Sequence, residues 1–163
     1  MKRKITLFGS TLALVATMVA FAAGSAYSSA SAAGKAAKLG TASSSLGRIV
    51  VNGKGHTLYL FEKDKGRRST CYGACAAYWP PALTHGKPKA RAGLKQSLIG
   101  TTRRRNGTTQ VTYAGHPLYT YIKDTKPGDA NGNGIEEFGA EWYALEPSGA
   151  MAEEHGGSGG DSS

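Results

Sequence analysis

Cysteine is scarce in this chain: 163 residues carry only two, with six prolines and few aromatics (9%). Two cysteines exclude a disulfide-dense miniprotein, and 23 glycines without a three-residue period exclude collagen. No long apolar run follows residue 23, which excludes a polytopic membrane protein. No sustained helical period with caps is present, which excludes a coiled coil. A nucleophile elbow, a zinc-protease helix and a phosphate loop are likewise missing, so nothing in the sequence supports an enzyme. What is present, 40% hydrophobic residues, suits one compact domain with loose ends.

The start of the chain carries a compartment signal. Met1-Lys2-Arg3-Lys4 is positively charged, Ile5 to Ala23 is nearly free of polar side chains, and Ala30-Ser31-Ala32 supplies an A-x-A site. This pattern predicts a signal peptide over 1–32 and a secreted or extracytoplasmic protein, with no membrane span after cleavage. The apolar run is Ala-rich and broken by Gly9, Ser10 and Thr11, which argues against an uncleaved anchor. No cysteine precedes Cys71, so the mature chain is not expected to be lipid-anchored. Residues 33–45 read as a flexible Ala/Ser linker and 148–163 as a disordered acidic Gly/Ser tail, because neither has enough apolar side chains to offset its ordering entropy. The predicted domain is 46–147.

Within it lies a repeat. Gly55-His56-Thr57-Leu58-Tyr59-Leu60-Phe61-Glu62-Lys63-Asp64 matches Gly115-His116-Pro117-Leu118-Tyr119-Thr120-Tyr121-Ile122-Lys123-Asp124 at six of ten positions. A β-branched run and a glycine turn precede each copy: Ile49-Val50-Val51 before Asn52-Gly53, and Val111-Thr112-Tyr113 before Ala114-Gly115. A hairpin is therefore predicted in each. Strand parity sets Leu58 and Leu60 against Tyr59 and Phe61, and Leu118, Thr120 and Ile122 against Tyr119 and Tyr121, with both faces at least partly covered. Asn106-Gly107 predicts a further hairpin between Leu98–Arg103 and Thr108–Tyr113. The expected fold is mainly β, one small domain of two duplicated hairpin-based repeats, with little helix apart from the signal peptide. One short helix is expected at Cys75–Tyr78 or Ala90–Ser97. Repeat one spans 47–81, a basic middle segment 82–107, and repeat two 108–147.

The pattern Tyr-x-aromatic-x-x-Asp, present as Tyr59/Phe61/Asp64 and as Tyr119/Tyr121/Asp124, resembles the bacterial secreted-repeat family with the Y-x4-D motif. The similarity extends to Cys71-Tyr-Gly-Ala-Cys75-Ala-Ala-Tyr-Trp79-Pro80-Pro81, to Gly-His-Pro-Leu-Tyr, and to Pro127-Gly128-Asp129 followed by Gly139-Ala-Glu-Trp142-Tyr143. The resemblance implies export and tandem repeats, but no established activity. Many members are predicted lipoproteins, a pattern from which this chain departs by lacking the lipid-bearing cysteine.

Several residues carry chemistry. Cys71 and Cys75 read as a disulfide in an oxidising exterior; the rival is a soft-metal or thiol-redox pair, with copper the metal. His56 and His116 hold equivalent places and invite a shared metal, against the plainer reading of histidines bonded to turn backbone or to the repeat's own aspartate. The repeated Tyr and Asp read as a structural hydrogen bond. Asp129, Asn131, Asn133 and Glu136 echo the opening of a calcium loop, although the twelfth position is Ala140, and a plain Asn/Gly turn competes with that reading.

Charge is divided along the chain. Residues 63–105 carry eleven Lys/Arg and one acid, whereas residues 124–163 carry nine acids and one Lys. Arg67, Arg68, Arg103, Arg104 and Arg105 are expected to form an exposed basic surface. Such a surface suits anionic cell-wall polymer or the envelope surface. The absence of a recognised motif argues against specific nucleic-acid binding. Two functions stay open: a non-enzymatic exported module, and an extracytoplasmic metal-binding or redox protein.

Overall fold

The computed structural model describes residues 34–153. The signal peptide predicted over 1–32 and the end of the predicted acidic tail lie outside the described residues. Among the described residues nine short strands make three small sheets, with one helix and one 3-10 turn beside them, so the mainly β expectation holds. Among the described residues no helix is long and apolar enough to cross a membrane.

The first sheet contains β1 (Lys38–Ser44), β2 (Gly47–Asn52) and β4 (Lys89–Ala90), with β1 in the middle. Here the linker expectation is corrected. β1 runs antiparallel to β2 from Leu39↔Asn52 to Ser44↔Gly47, and Leu39 is buried. One leucine and a full ladder of main-chain bonds order a segment too poor in apolar residues to do so alone. The tail is corrected as well, because Leu145 bridges Met151 and the N–H of Ala152 donates to Ala144 O at 2.8 Å. Ala152 is fully buried.

The second sheet is β3 (Tyr59–Phe61), β9 (Ala140–Ala144) and β8 (Ile135–Glu137); the third is β5 (Ile99–Arg103), β6 (Thr109–Tyr113) and β7 (His116–Pro117). The Asn106-Gly107 turn joins β5 to β6 as predicted, with Arg103 opposite Thr109. The hairpin of each repeat forms but is brief: Val51 bridges Thr57, and Tyr113 pairs with His116. Beyond it the motif strand leaves its partner and crosses to the other repeat. Tyr59 and Tyr119 exchange both main-chain hydrogen bonds, 2.9 and 3.0 Å. β3 pairs along β9, which places Phe61 opposite Trp142.

Parity then builds two cores. Tyr59, Phe61, Tyr119 and Tyr121 enter one cluster with Trp79 and Trp142. Leu58, Leu60 and Leu118 enter another with Val50, Val111 and Tyr113. In the first, four rings stack in the order Phe61, Trp142, Trp79, Tyr121, with centroid separations of 3.9, 4.0 and 4.1 Å. The order alternates between repeats, and Tyr59 and Tyr119 abut Trp79 and Trp142 edge-on at 5.3 and 5.1 Å. The duplication is thus a pseudo-twofold built around the two tryptophans. Offset and edge contacts of this kind add about 0.5–1.5 kcal/mol per pair to ordinary burial.

Candidate functional site

The Tyr/Asp motif closes between repeats. Tyr59 Oη donates to Asp124 Oδ2 at 2.6 Å, and Tyr119 Oη donates to Asp64 Oδ2 at 2.7 Å. Each carboxylate also caps the loop that follows it: Asp64 Oδ1 accepts from Thr70 N and Oγ1 at 2.7 and 2.9 Å, and Asp124 Oδ1 accepts from Asn131 N at 3.0 Å. Burial raises the pKa of both aspartates above the ordinary 3.8, although these donors pull the other way. Burial, together with the facing carboxylate, also raises the pKa of both tyrosines, so the phenols stay neutral.

In repeat one this network reaches the surface. Tyr119 Oη lies 2.7 Å from Ser69 Oγ, to which Arg104 Nη1 donates at 2.7 Å. Arg104 also donates to Gln110 Oε1 and to Cys71 O, both at 2.6 Å. Arg104 is therefore buried, which corrects its expected place on the exposed surface. A guanidinium can be buried there because main-chain and amide oxygens receive it, and its charge helps to hold the Asp64 carboxylate ionised. Its neighbours point outward. Arg67, Arg68, Arg103 and Arg105 are all exposed.

Arg68, Arg103 and Arg105 line a cleft of about 410 Å³, completed by Ser69, Thr70 and Tyr72, with no acidic residue in its wall. Tyr72 fixes one side: the Arg105 guanidinium sits 3.7 Å from its ring centroid and Arg104 at 4.3 Å, while Arg105 N donates to Tyr72 Oη at 3.2 Å. Cation–π contacts hold flexible side chains in place before any ligand arrives. Arg67 is not among the lining residues. Ser69 and Thr70 carry no signal in the sequence beyond their place between the first motif aspartate and Cys71, and Tyr72 none beyond its place in the Cys71-Tyr-Gly-Ala-Cys75 string.

The disulfide joins Cys71 to Cys75, with Cα atoms 5.3 Å apart, and among the described residues no cysteine is free. Cys75 lies in α1 (Ala74–Tyr78), Cys71 just before it, and both are buried. The pairing leaves no free thiolate to hold copper, and burial shields the disulfide from attack by an exchanging thiol. The histidines are also apart in role. His56 stands in the first hairpin turn, its N–H donating to Asn52 Oδ1 at 3.2 Å, whereas His116 lines a separate cavity with Glu62, Asp64, Met151 and Glu153.

The calcium-loop residues do not converge. Asp129 Oδ2 accepts from Thr125 N and Lys126 N, Asn131 Nδ2 donates toward Asp124 and Lys123 O, and Asn133 Oδ1 accepts from Ala144 N. Glu136 is on β8, opposite Glu141. Asp129, Asn131 and Asn133 each serve a different main-chain partner and Glu136 stands apart on β8, so the calcium reading is corrected to an Asn/Gly loop. Among the described residues no group of three or more His, Cys, Asp or Glu is placed to hold a metal.

A duplicated, mainly β module with interlocked motifs and an arginine cleft is the class that fold and site define. A family model described as a secreted repeat of unknown function, Lipoprotein_15, matches residues 40–83 and 100–146. The chain belongs to that family. The matched segments begin at β1 and at β5, earlier than the repeat bounds read from the sequence. No curated protein and no solved structure matches the chain.

Proposed function

We propose that this chain is an exported, non-enzymatic β-repeat module that binds anionic polymer of the cell surface through the cleft of Arg68, Arg103 and Arg105. The observation that carries the reading is the composition of that cleft: three guanidinium groups, two hydroxyls and a phenol around about 410 Å³, without one acid. Guanidinium forks suit phosphate and carboxylate oxygens in pairs. Tyr72 pre-positions Arg105, which lowers the ordering cost of binding. The alternative, a metal or thiol-redox protein using the C-x3-C pair, finds no support in two buried, paired cysteines.

The test is retention of the protein on immobilised polyphosphate. The proposal expects binding that fades as ionic strength approaches about 1 M, where charges are screened beyond about 3 Å. Replacing Arg68, Arg103 and Arg105 together by serine, all on exposed positions, should abolish retention with the fold intact. Equal retention by the triple variant would refute the reading.

A further inference from the structure

Phe138 occupies the wrong kind of backbone position for its side chain. β8 and β9 pair as Glu137↔Ala140, which leaves Phe138-Gly139 as a two-residue turn with φ of +59° and +85°. Such a turn favours Asn-Gly, and a bulky residue in the left-handed region is strained. Strain retained at one site points to a use for the side chain that requires it. The ring is not buried to repay the strain, since Phe138 is 38% exposed.

It stands beside a second exposed ring. Tyr78, 47% exposed at the end of α1, lies with its ring centroid 6.0 Å from that of Phe138 at 53°. Ile122, 57% exposed, donates its N–H to Tyr78 O. Polar groups rim the patch. Lys63 Nζ donates to Phe138 O at 2.9 Å, Lys123 Nζ is 5.6 Å from the Tyr121 ring centroid, and Glu137 Oε2 accepts from Trp79 Nε1. Two or three exposed apolar side chains are too few for a protein interface, which needs about 20 residues a side. They match in size the apolar face of a single pyranose ring, whose hydroxyls would meet the polar rim. The two ammonium groups favour a ring that carries a carboxylate.

We propose that Tyr78 and Phe138 form a stacking platform for a uronic-acid pyranose of an acidic polysaccharide, with Lys63 and Lys123 facing its charge. The platform shares no residue with the arginine cleft and does not depend on it.

Phe138→Asn is the discriminating variant, because it removes the ring while supplying the residue the turn prefers. Calorimetric titration with polygalacturonate, polyglutamate and polyphosphate is run beside thermal unfolding. The expected result is a higher melting temperature for Phe138→Asn, with polygalacturonate affinity about threefold to tenfold weaker, the worth of one aromatic contact. Tyr78→Ser, on an exposed position, should weaken the same binding, and neither variant should change polyphosphate binding. Unchanged polygalacturonate affinity in both variants would overturn the platform, as would wild-type protein that binds polyglutamate as well as polygalacturonate. Those results leave polyphosphate binding through the arginines standing, and loss of polyphosphate binding alone leaves the platform standing.

Discussion

Tyr59 and Asp124 are 65 residues apart and are joined by a 2.6 Å hydrogen bond inside the core. Its counterpart joins Tyr119 to Asp64 across 55 residues at 2.7 Å. The motif of each repeat is thus completed by the other, and the aromatic stack alternates in the same way. One repeat alone would leave a phenol and a carboxylate facing a missing partner, at a cost of about 1–3 kcal/mol for each orphaned group. The same crossing wires the surface: Asp64 holds Thr70, and Tyr119 holds Ser69, the two hydroxyl residues of the arginine cleft.

Acid should affect this core in an unusual sense. Both motif aspartates have folded-state pKa values raised above 3.8. A carboxyl raised on folding contributes stability that is fully present below its unfolded pKa and is lost as pH rises through the folded pKa. From these two groups, unfolding free energy should fall as pH climbs from about 4. Denaturant midpoints across that range, compared between wild type and the Asp64→Asn/Asp124→Asn double variant, read the effect. The double variant should lose this part of the slope; an identical slope would remove the aspartates as its source.

Gly132 should tolerate no side chain. A Cβ there would sit 2.6 Å from one Trp79 ring carbon and 3.0 Å from the Tyr59 ring. Gly132→Ala should destabilise the fold by about 1–3 kcal/mol through overpacking and alter tryptophan emission. An alanine variant of wild-type stability would mean that the loop does not lie against the stack.

Reduction of the disulfide should have a modest effect. The Cys71–Cys75 bridge closes a very short loop, so in the chain-entropy model it contributes about 2 kcal/mol. Urea unfolding of the Cys71→Ser/Cys75→Ser variant should show a lower midpoint and a single transition. A loss of folding altogether would assign the bridge a larger part than its loop length allows.

Much of this was legible in the residues. The alternation Leu58-Tyr59-Leu60-Phe61 separated the two cores, the ten-residue match disclosed the duplication, and Asn106-Gly107 marked its turn. The missing parts share a physical cause, which is that partners distant in sequence decided them. Lys38–Ser44 is a strand because β2 and β4 flank it on both sides, whereas its own composition argues for a linker. Arg104 is buried because Ser69, Cys71 and Gln110 offer it oxygens; two flanking arginines at a turn gave no hint of that. Asp129 to Gly134 mimics a cation loop because several main-chain donors need oxygens nearby and Trp79 needs a glycine. Local spacing identified the motif tyrosines and aspartates but carried no information on which tyrosine meets which aspartate.

That pairing is the central claim, and double-mutant cycles on denaturant unfolding test it most directly. Four cycles combine Tyr59→Phe or Tyr119→Phe with Asp64→Asn or Asp124→Asn. The crossed pairs, Tyr59 with Asp124 and Tyr119 with Asp64, should each show a coupling energy of about 1.5–3 kcal/mol, the range for a hydrogen bond to a charged group. The pairs within one repeat, Tyr59 with Asp64 and Tyr119 with Asp124, should be additive within about 0.5 kcal/mol. Coupling confined to the pairs within a repeat would contradict the interlocked architecture.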